Sequence, residues 1–331
     1  MSGADIEKAV ALLKEGKLVA FPTETVYGLG ADAASAEALT RLYRVKGRPT
    51  DHPVIVHLAS VDKLSEWTKV KDVPPIAWQL AEAFWPGPMT LILPKADHVL
   101  KACTGGQDSV GIRIPSHPLA LSLLSQFGGG VAAPSANKFG KLSPTTADSV
   151  REGLGEEVAM VLDGGPCQVG IESTIISVLG ATPRILRPGM ITREQVQEKL
   201  GIPVEIAYKE NTVKEKDAHI KAPGTLESHY APDTAVALVP GQDLPFLISK
   251  LNNEGKTFVL LGFEDNTLRR NQTAALWVEK NADSYAQNLY QRLKDLDGHK
   301  KQFILVEAPP QDSAWDGVND RLKRAAHGTV L

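Results

Sequence analysis

The chain has 331 residues, of which 43% are hydrophobic and 23% are charged, and its formal net charge at pH 7 is −3. This composition is typical of a globular protein of about two domains, and it gives no overall basic surface for a nucleic-acid backbone. The two cysteines, Cys103 and Cys167, are too few for a disulfide framework, and the lack of a CxxC pair argues against a zinc finger.

The N-terminal residues show no targeting signal. They lack a basic region followed by an apolar core and a small-residue cleavage site, and no run of about 18 apolar residues occurs in the sequence. We therefore expect a cytoplasmic protein that does not insert into a membrane.

Helical and strand-like patterns alternate over the first part of the chain. Apolar spacing predicts a helix from Asp5 to Gly16, where glycine ends it, and a strand at Leu18–Phe21. Further strands are predicted at Val54–Leu58, Met89–Leu93, Val110–Ile114, Val131–Ala133, Val158–Leu162 and Ser173–Val178. Further helices are predicted at Ala36–Arg44, Pro75–Phe84 and Pro118–Phe127. This order predicts an α/β or α+β domain over residues 1–205.

A charged segment separates this domain from a second pattern. Residues 207–221 have almost no large apolar side chains, so we predict a linker or lid over residues 206–234. Beyond it, strands are predicted at Ala235–Val239, Phe258–Leu261, Ala275–Val278 and Phe303–Glu307, with helices at Ser284–Leu296 and Trp315–Ala326. This pattern predicts a small doubly wound domain over residues 235–331.

Polar side chains lie after the first predicted strand, and before and within the second. The segment Phe21-Pro-Thr-Glu-Thr-Val-Tyr-Gly-Leu-Gly30 places two hydroxyls and a carboxylate in a predicted turn, where they either face a ligand crevice or cap the turn. Lys46 and Arg48 flank a glycine, and they either converge on a polyanion such as a triphosphate or form a solvated basic loop. His57, at the end of a strand, is either a ligand contact or a satisfied histidine.

Two later strands also carry polar groups. Arg113 interrupts an apolar strand and needs an anion there, supplied either by an internal acidic residue or by a substrate. Ser135 and Asn137 follow a buried-type strand, where they suit phosphate or ribose binding but also an ordinary turn. No GxSxG, GxxxxGK[ST], GxGxxG or HExxH motif occurs, so any nucleotide is bound by another scheme.

The order of these motifs is more specific than any one of them. PTETVYGLG, KGR, SVGIRIP, PSAN, GIESTI and RPG occur in this order within residues 5–205, which resembles the YrdC-like threonylcarbamoyl-AMP synthase family. PGTLESHYAP and the final α/β segment resemble the longer, two-domain form of that family. The resemblance implies an α/β fold with a twisted mixed sheet bordering a positively charged cavity, plus a small Rossmann-like C-terminal domain.

The resemblance also implies an activity and a set of site residues. Members of the family join L-threonine, bicarbonate and ATP into threonylcarbamoyl-AMP, release pyrophosphate, and supply a transferase complex that modifies tRNA beside the anticodon. By motif, ATP would contact Lys46, Arg48, His52, Ser109, Ser135, Asn137, Ser143, Arg187 and Tyr230. L-Threonine would contact Thr25, His57, Arg113, Ala133 and Ser173. Lys46 and Arg48 would be catalytic, Mg²⁺ would arrive with ATP, and a weak tRNA contact is left open.

Two other functions would use a similar domain. A binding module for double-stranded RNA or tRNA would use the same basic cavity without turnover, but the slightly acidic composition and the amino-acid-type motifs argue against it. A carbamoyltransferase of hydrogenase maturation contains a similar domain, but it needs zinc-finger cysteines that this chain lacks.

Overall fold

The computed structural model describes residues 3–207, 220–226, 229–270 and 275–329. These residues form two compact units, an N-terminal unit of residues 1–139 and 143–225 and a C-terminal unit of residues 140–142 and 226–331. About half of the segment predicted as a linker or lid, residues 208–219 and 227–228, lies outside the described residues. None of the described helices is long and apolar enough to cross a membrane.

The N-terminal unit combines a large mixed sheet with flanking helices. Its strands are β1 Val19–Phe21, β2 Gly28–Asp32, β3 Ile55–His57, β4 Met89–Pro94, β5 Ser109–Arg113, β6 Val131–Ala132, β7 Met160–Val161, β8 Thr174–Ser177, β9 Arg184–Arg187 and β10 Glu205–Ile206. Its α-helices are α1 Gly3–Lys14, α2 Ala36–Lys46, α3 Pro75–Phe84, α4 Lys101–Thr104, α5 Pro118–Phe127, α6 Ala147–Leu154 and α7 Arg193–Leu200. The sheet order is β10-β9-β8-β4-β5-β3-β6-β2-β1-β7.

The central strands have two different buried faces, because successive side chains of a strand point to opposite sides. On one face, Val56 of β3, Leu91 of β4 and Ile112 of β5 join the main hydrophobic core. On the other face, Ile55 and Ile92 belong to a separate, smaller cluster. The second face therefore has an apolar floor of its own, apart from the main core.

Helix α2 leads directly into the basic motif. It begins after Ser35, whose side chain accepts a hydrogen bond from the Ala38 amide, and it ends at Gly47, whose φ of 63° favours glycine. The carbonyl of Tyr43 accepts a hydrogen bond from the Arg48 amide at 3.1 Å, which continues the chain reversal. This helix end fixes the positions of Lys46 and Arg48.

The C-terminal unit is a small parallel α/β domain. Its strands β11 Ala235–Val239, β12 Phe258–Phe263, β13 Ala275–Val278 and β14 Phe303–Glu307 pair in the order β11-β14-β12-β13, and every pairing is parallel. Its helices are α8 Leu244–Asn253, α9 Ala282–Asp297 and α10 Asp316–Ala325. Both parts of the predicted fold class, a mixed sheet and a Rossmann-like domain, are confirmed.

Strand β2 is not among the strands predicted from the sequence. It begins at Gly28, directly after the predicted turn, and pairs antiparallel with β1. Gly30 lies so close to β1 that a Cβ atom there would be 2.9 Å from a ring carbon of Phe21 and 3.0 Å from the Val19 carbonyl oxygen. This glycine therefore permits close packing of two strands.

Candidate active site

The second face of the N-terminal sheet gathers the polar residues that the motifs predicted. Strand alternation places Ser109 and Arg113 of β5, and His57 of β3, on the same side as the apolar floor. Strands β3 and β5 are parallel and pair His57 with Arg113, so these two residues lie side by side. Along β5, Ser109 and Arg113 are about 13 Å apart, which gives the face two separate ends.

At one end, Lys46 contacts two other predicted residues, Ser135 and Asn137. Its Nζ donates to the carbonyl oxygens of Ser135 at 2.5 Å and Asn137 at 2.7 Å, and the lysine is buried. Burial, followed by the like charge of Arg48, lowers the pKa of Lys46 well below that of an ordinary lysine. The motifs around residues 46 and 135 are thus joined in space.

Arg48, His52 and Ser109 belong to the same region. Arg48 donates from Nη2 to the Pro53 carbonyl at 2.6 Å and is buried. The His52 ring packs edge-on against Phe139, and burial together with Arg48 lowers its pKa, so this imidazole is neutral at pH 7. Ser109 is buried at the start of β5. We call Lys46, Arg48, Ser109, Ser135 and Asn137 the Lys46 end.

Two further pairs lie in the N-terminal unit. The Ser143 hydroxyl donates to Glu172 Oε1 at 2.5 Å, and both residues are buried. Arg187 donates from Nε and Nη2 to the Ser173 carbonyl, at 3.1 and 2.9 Å, and from Nη1 to the Pro223 carbonyl at 2.9 Å. Arg187 and Ser173, predicted for different substrates, are therefore in direct contact.

Arg113, at the other end of the face, has an internal acidic partner. Its Nη2 lies 2.7 Å from Glu24 Oε1, and each of the two side chains is only 5% exposed. Its Nη1 donates to the Thr25 hydroxyl at 2.8 Å, and its Nε donates to the Gly87 carbonyl at 3.3 Å. The sequence did not decide whether the anion beside Arg113 comes from the protein or from a substrate. In the structure, Glu24 of the protein is such an anion.

His57 and Ala133 are buried near this pair. Burial, followed by the charge of Arg113, lowers the pKa of His57 to about 3, so the imidazole is neutral. The backbone at Ile55 and Val131 acts on this pKa in the opposite direction, but within the described residues no group meets hydrogen-bond geometry at the buried Nδ1 atom. Ala133 donates its amide to the Ile55 carbonyl at 3.0 Å. We call Glu24, Thr25, His57 and Arg113 the Arg113 end.

Tyr230 belongs to the C-terminal unit. Its ring stacks on Tyr290 with centroids 5.9 Å apart, and the Arg321 guanidinium lies 5.2 Å from the centre of the Tyr230 ring. The structure thus places the predicted residues of the N-terminal unit at the two ends of one sheet face and in two further pairs, while the contact between Tyr230 and ATP stays a prediction.

Three buried residues of the site were not among the predicted contacts. Glu24 pairs with Arg113, Glu172 accepts from Ser143, and the Thr90 hydroxyl lies 2.8 Å from the Ser173 hydroxyl. Glu24 and Glu172 stand inside the PTET and GIEST motifs, so their carboxyl groups were a usable signal. Thr90 lies in an apolar strand and had no such signal beyond strand alternation.

Both cysteines are buried, and burial raises the pKa of each thiol to about 12. At neutral pH they therefore carry no charge.

Comparison with known proteins covers both units. The Sua5/YciO/YrdC family model, described as telomere recombination, matches residues 11–189, and the model of the threonylcarbamoyl-AMP synthase C-terminal domain matches residues 191–327. The threonylcarbamoyl-AMP synthase of Bacillus subtilis is 38% identical over 98% of this chain and 94% of its own length. The corresponding protein of Pyrococcus abyssi is 37% identical over 98% of this chain and 95% of its own length.

A solved structure extends this similarity to three dimensions. The crystal structure of P. abyssi Sua5 complexed with L-threonine has a TM-score of 0.89 and 36% identity, covering 98% of this chain and 95% of that one. Fold, site and relatives together define a two-domain α/β enzyme of the nucleotidyltransferase class. The chain belongs to the threonylcarbamoyl-AMP synthase family, as the motif order predicted.

Proposed function

We propose that this chain joins L-threonine, bicarbonate and ATP into threonylcarbamoyl-AMP and releases pyrophosphate. The observation that carries the proposal is the arrangement of one sheet face, where a cationic Lys46 end and a hydroxyl-rich Arg113 end flank an apolar floor. The Lys46 end suits a triphosphate, and the Arg113 end suits a small amino acid. The full-length similarity to threonylcarbamoyl-AMP synthases supports the same assignment.

The chemistry needs no nucleophile from the enzyme. The threonine amine and bicarbonate form a carbamate and water, and a carbamate oxygen then attacks the α-phosphorus of ATP, displacing pyrophosphate. Catalysis therefore depends on positioning and on stabilisation of phosphate charge. This requirement agrees with a site of buried cations and hydroxyls, and the two thiols of the chain stay protonated at neutral pH.

At the Lys46 end, Lys46 and Arg48 would stabilise charge that develops on the phosphates. Ser109, Ser135, Asn137, Ser143, His52 and Arg187 would complete the ATP contacts in this unit. Among the residues that the structure describes, no cluster of three acidic, histidine or cysteine side chains could hold a metal ion. Mg²⁺ commonly binds through substrate phosphates and one or two carboxylates. The buried Glu172 would supply such a carboxylate. The ion would neutralise phosphate charge.

At the Arg113 end, the Arg113 guanidinium would bind the threonine carboxylate. Thr25 and Ser173 would supply hydroxyl groups, and Ala133 would border the methyl pocket. His57 is neutral, so its Nδ1 would bind threonine through a hydrogen bond rather than through charge. A neutral imidazole there also avoids repulsion between His57 and Arg113.

A product of this kind has to pass to a second enzyme. Threonylcarbamoyl-AMP carries an activated acyl group, and its consumer would be the complex that transfers this group to tRNA next to the anticodon.

Residues 206–234 would act as the lid that limits hydrolysis of the carbamate and adenylate. Within its described part, Ala222 packs into the cluster of the apolar floor, and Pro223 accepts from Arg187. The reaction is expected to take place in the cytoplasm.

The direct test is incubation with ATP, labelled bicarbonate and each amino acid in turn, followed by chromatography. We expect labelled threonylcarbamoyl-AMP only when all three substrates are present, with an equal amount of pyrophosphate. If pyrophosphate appears without threonine, the assignment fails. Binding of tRNA or double-stranded RNA without any turnover would instead favour an RNA-binding module.

A further inference from the structure

Glu24 holds Arg113 in a fixed, charge-compensated position. One carboxylate oxygen lies 2.7 Å from Arg113 Nη2, and the other accepts the Ser116 amide at 3.1 Å. The Glu24 carbonyl in turn accepts the Val169 amide at 2.7 Å. The glutamate is thus held by two different segments of the N-terminal unit, residues 113–116 and the chain at Val169.

Two titratable groups that interact with this pair within the described residues, His57 and Cys167, are neutral. Burial keeps the pKa of His57 near 3 and that of Cys167 near 12, so neither carries charge at pH 7. Arg187 contacts Ser173, one of the predicted threonine contacts, but in the proposed function the positive charge of Arg187 binds ATP. Before substrate binds, one positive and one negative charge therefore face each other at the Arg113 end.

We propose that Glu24 determines which class of acid the Arg113 end accepts. The inference rests on the proposed function, in which Arg113 meets the threonine carboxylate. A zwitterionic amino acid brings one charge of each sign, so the buried site stays neutral when it binds. A carboxylic acid without an amine brings only a negative charge and leaves a net negative charge in the buried site, which is costly. Glu24 thereby rejects acids that cannot form a carbamate.

Glu24 acts through Arg113 and is a positioning and specificity residue. Its role predicts a change of ligand preference rather than a uniform loss of affinity. Without the carboxylate, the Arg113 charge is uncompensated and attracts any small carboxylate. A merely structural glutamate would weaken every ligand of this end alike.

The test compares L-threonine with 3-hydroxybutyrate, which has the same carbon skeleton and hydroxyl but no amine. Dissociation constants of both are measured on the same preparation of wild type, Glu24→Gln and Glu24→Asp, so their ratio does not depend on the folded fraction. We expect wild type to prefer threonine, Glu24→Gln to reduce that preference at least ~10-fold, and Glu24→Asp, which keeps the charge, to retain most of it. The matched control Glu157→Gln makes the same change at an exposed carboxylate that pairs with Lys138, so it should leave the ratio unchanged.

A second measurement uses the unmodified enzyme, in case Glu24→Gln does not fold. Because a negative charge left in the buried site favours the binding of a proton, calorimetry in buffers of different ionisation enthalpy should show more proton uptake when 3-hydroxybutyrate binds than when threonine binds. Equal proton uptake, or an unchanged ratio in a folded Glu24→Gln variant, would overturn the role of Glu24. If Arg113→Ala left threonine binding unaffected, the proposed function of this end would itself be wrong.

Discussion

The Lys46 end and the Arg113 end both bury cations, but different groups face those cations. Lys46 and Arg48 donate to backbone carbonyls of residues 135, 137 and 53, so no carboxylate is used in these bonds. Arg113 pairs with the Glu24 carboxylate. Two neighbouring cations, with the Glu172 carboxylate acting on Lys46, suit a ligand with several negative charges, whereas a single compensated pair suits a zwitterion. The same sheet face therefore provides two sites of different electrostatic character.

The largest effect is expected at the Lys46 end. Lys46→Ala or Arg48→Ala should lower turnover by at least ~10²-fold, because both cations act on charge that develops in the transition state. Pyrophosphate release measures this, with circular dichroism to check the fold. Lys138→Ala is the control, because this neighbouring cation is partly exposed and ion-paired with Glu157. Near wild-type turnover of both Lys46 and Arg48 variants would remove the distinction between the two ends.

The amino-acid pocket should discriminate by size. Threonine should be preferred over serine by ~10–200-fold in kcat/KM, since the two differ by one methyl group in a pocket that Ala133 borders. Competition between the two amino acids in one reaction measures this ratio, and glycine should be a poorer substrate still. Equal use of serine and threonine would show that the methyl group has no pocket at this end.

A smaller, selective effect is expected for Arg113. Arg113→Ala should raise the KM for threonine by ~10–100-fold, the range expected for loss of a charge-assisted hydrogen bond, and should change the KM for ATP much less. Steady-state kinetics with each substrate varied in turn gives both values. If both constants rose equally, Arg113 would not belong to a separate amino-acid site.

The smallest effect concerns pH. The pKa of Lys46 is lowered, so its charge is lost at a pH below that of an ordinary lysine, whose pKa is about 10.4. ATP affinity should therefore fall as pH rises through this range, and ATP binding there should take up protons. In Lys46→Arg the cation stays protonated, and the alkaline fall should disappear. Titration calorimetry across alkaline pH tests this, and an identical profile in both proteins would exclude Lys46 as its cause.

Much of the fold could be predicted from local sequence. Helices α3 and α5 begin at Pro75 and Pro118 as predicted, because proline suits the first helical turn and apolar residues follow at helical spacing. Helix α7 was missed because Val196 is its only buried residue. Its capping box between Thr192 and Gln195 was a readable signal.

Pairing across long distances in sequence was harder to predict. The motif order predicted that Lys46, Ser135 and Asn137 share a site, and in the structure they are in direct contact. The partner of Arg113 could not be chosen from the sequence, because Glu24 is 89 residues away and only the fold brings the two together. Strand β2 was missed for a similar reason, since only its close packing on β1 explains its glycines.

The most direct test of two separate sites is equilibrium binding of ATP and L-threonine to two variants, Lys46→Ala and Arg113→Ala. The account predicts a crossed result, in which Lys46→Ala loses ATP affinity but keeps threonine affinity, and Arg113→Ala does the reverse. If each variant weakened both ligands to the same extent, the Lys46 end and the Arg113 end would form a single site, and the division of the sheet face would be contradicted.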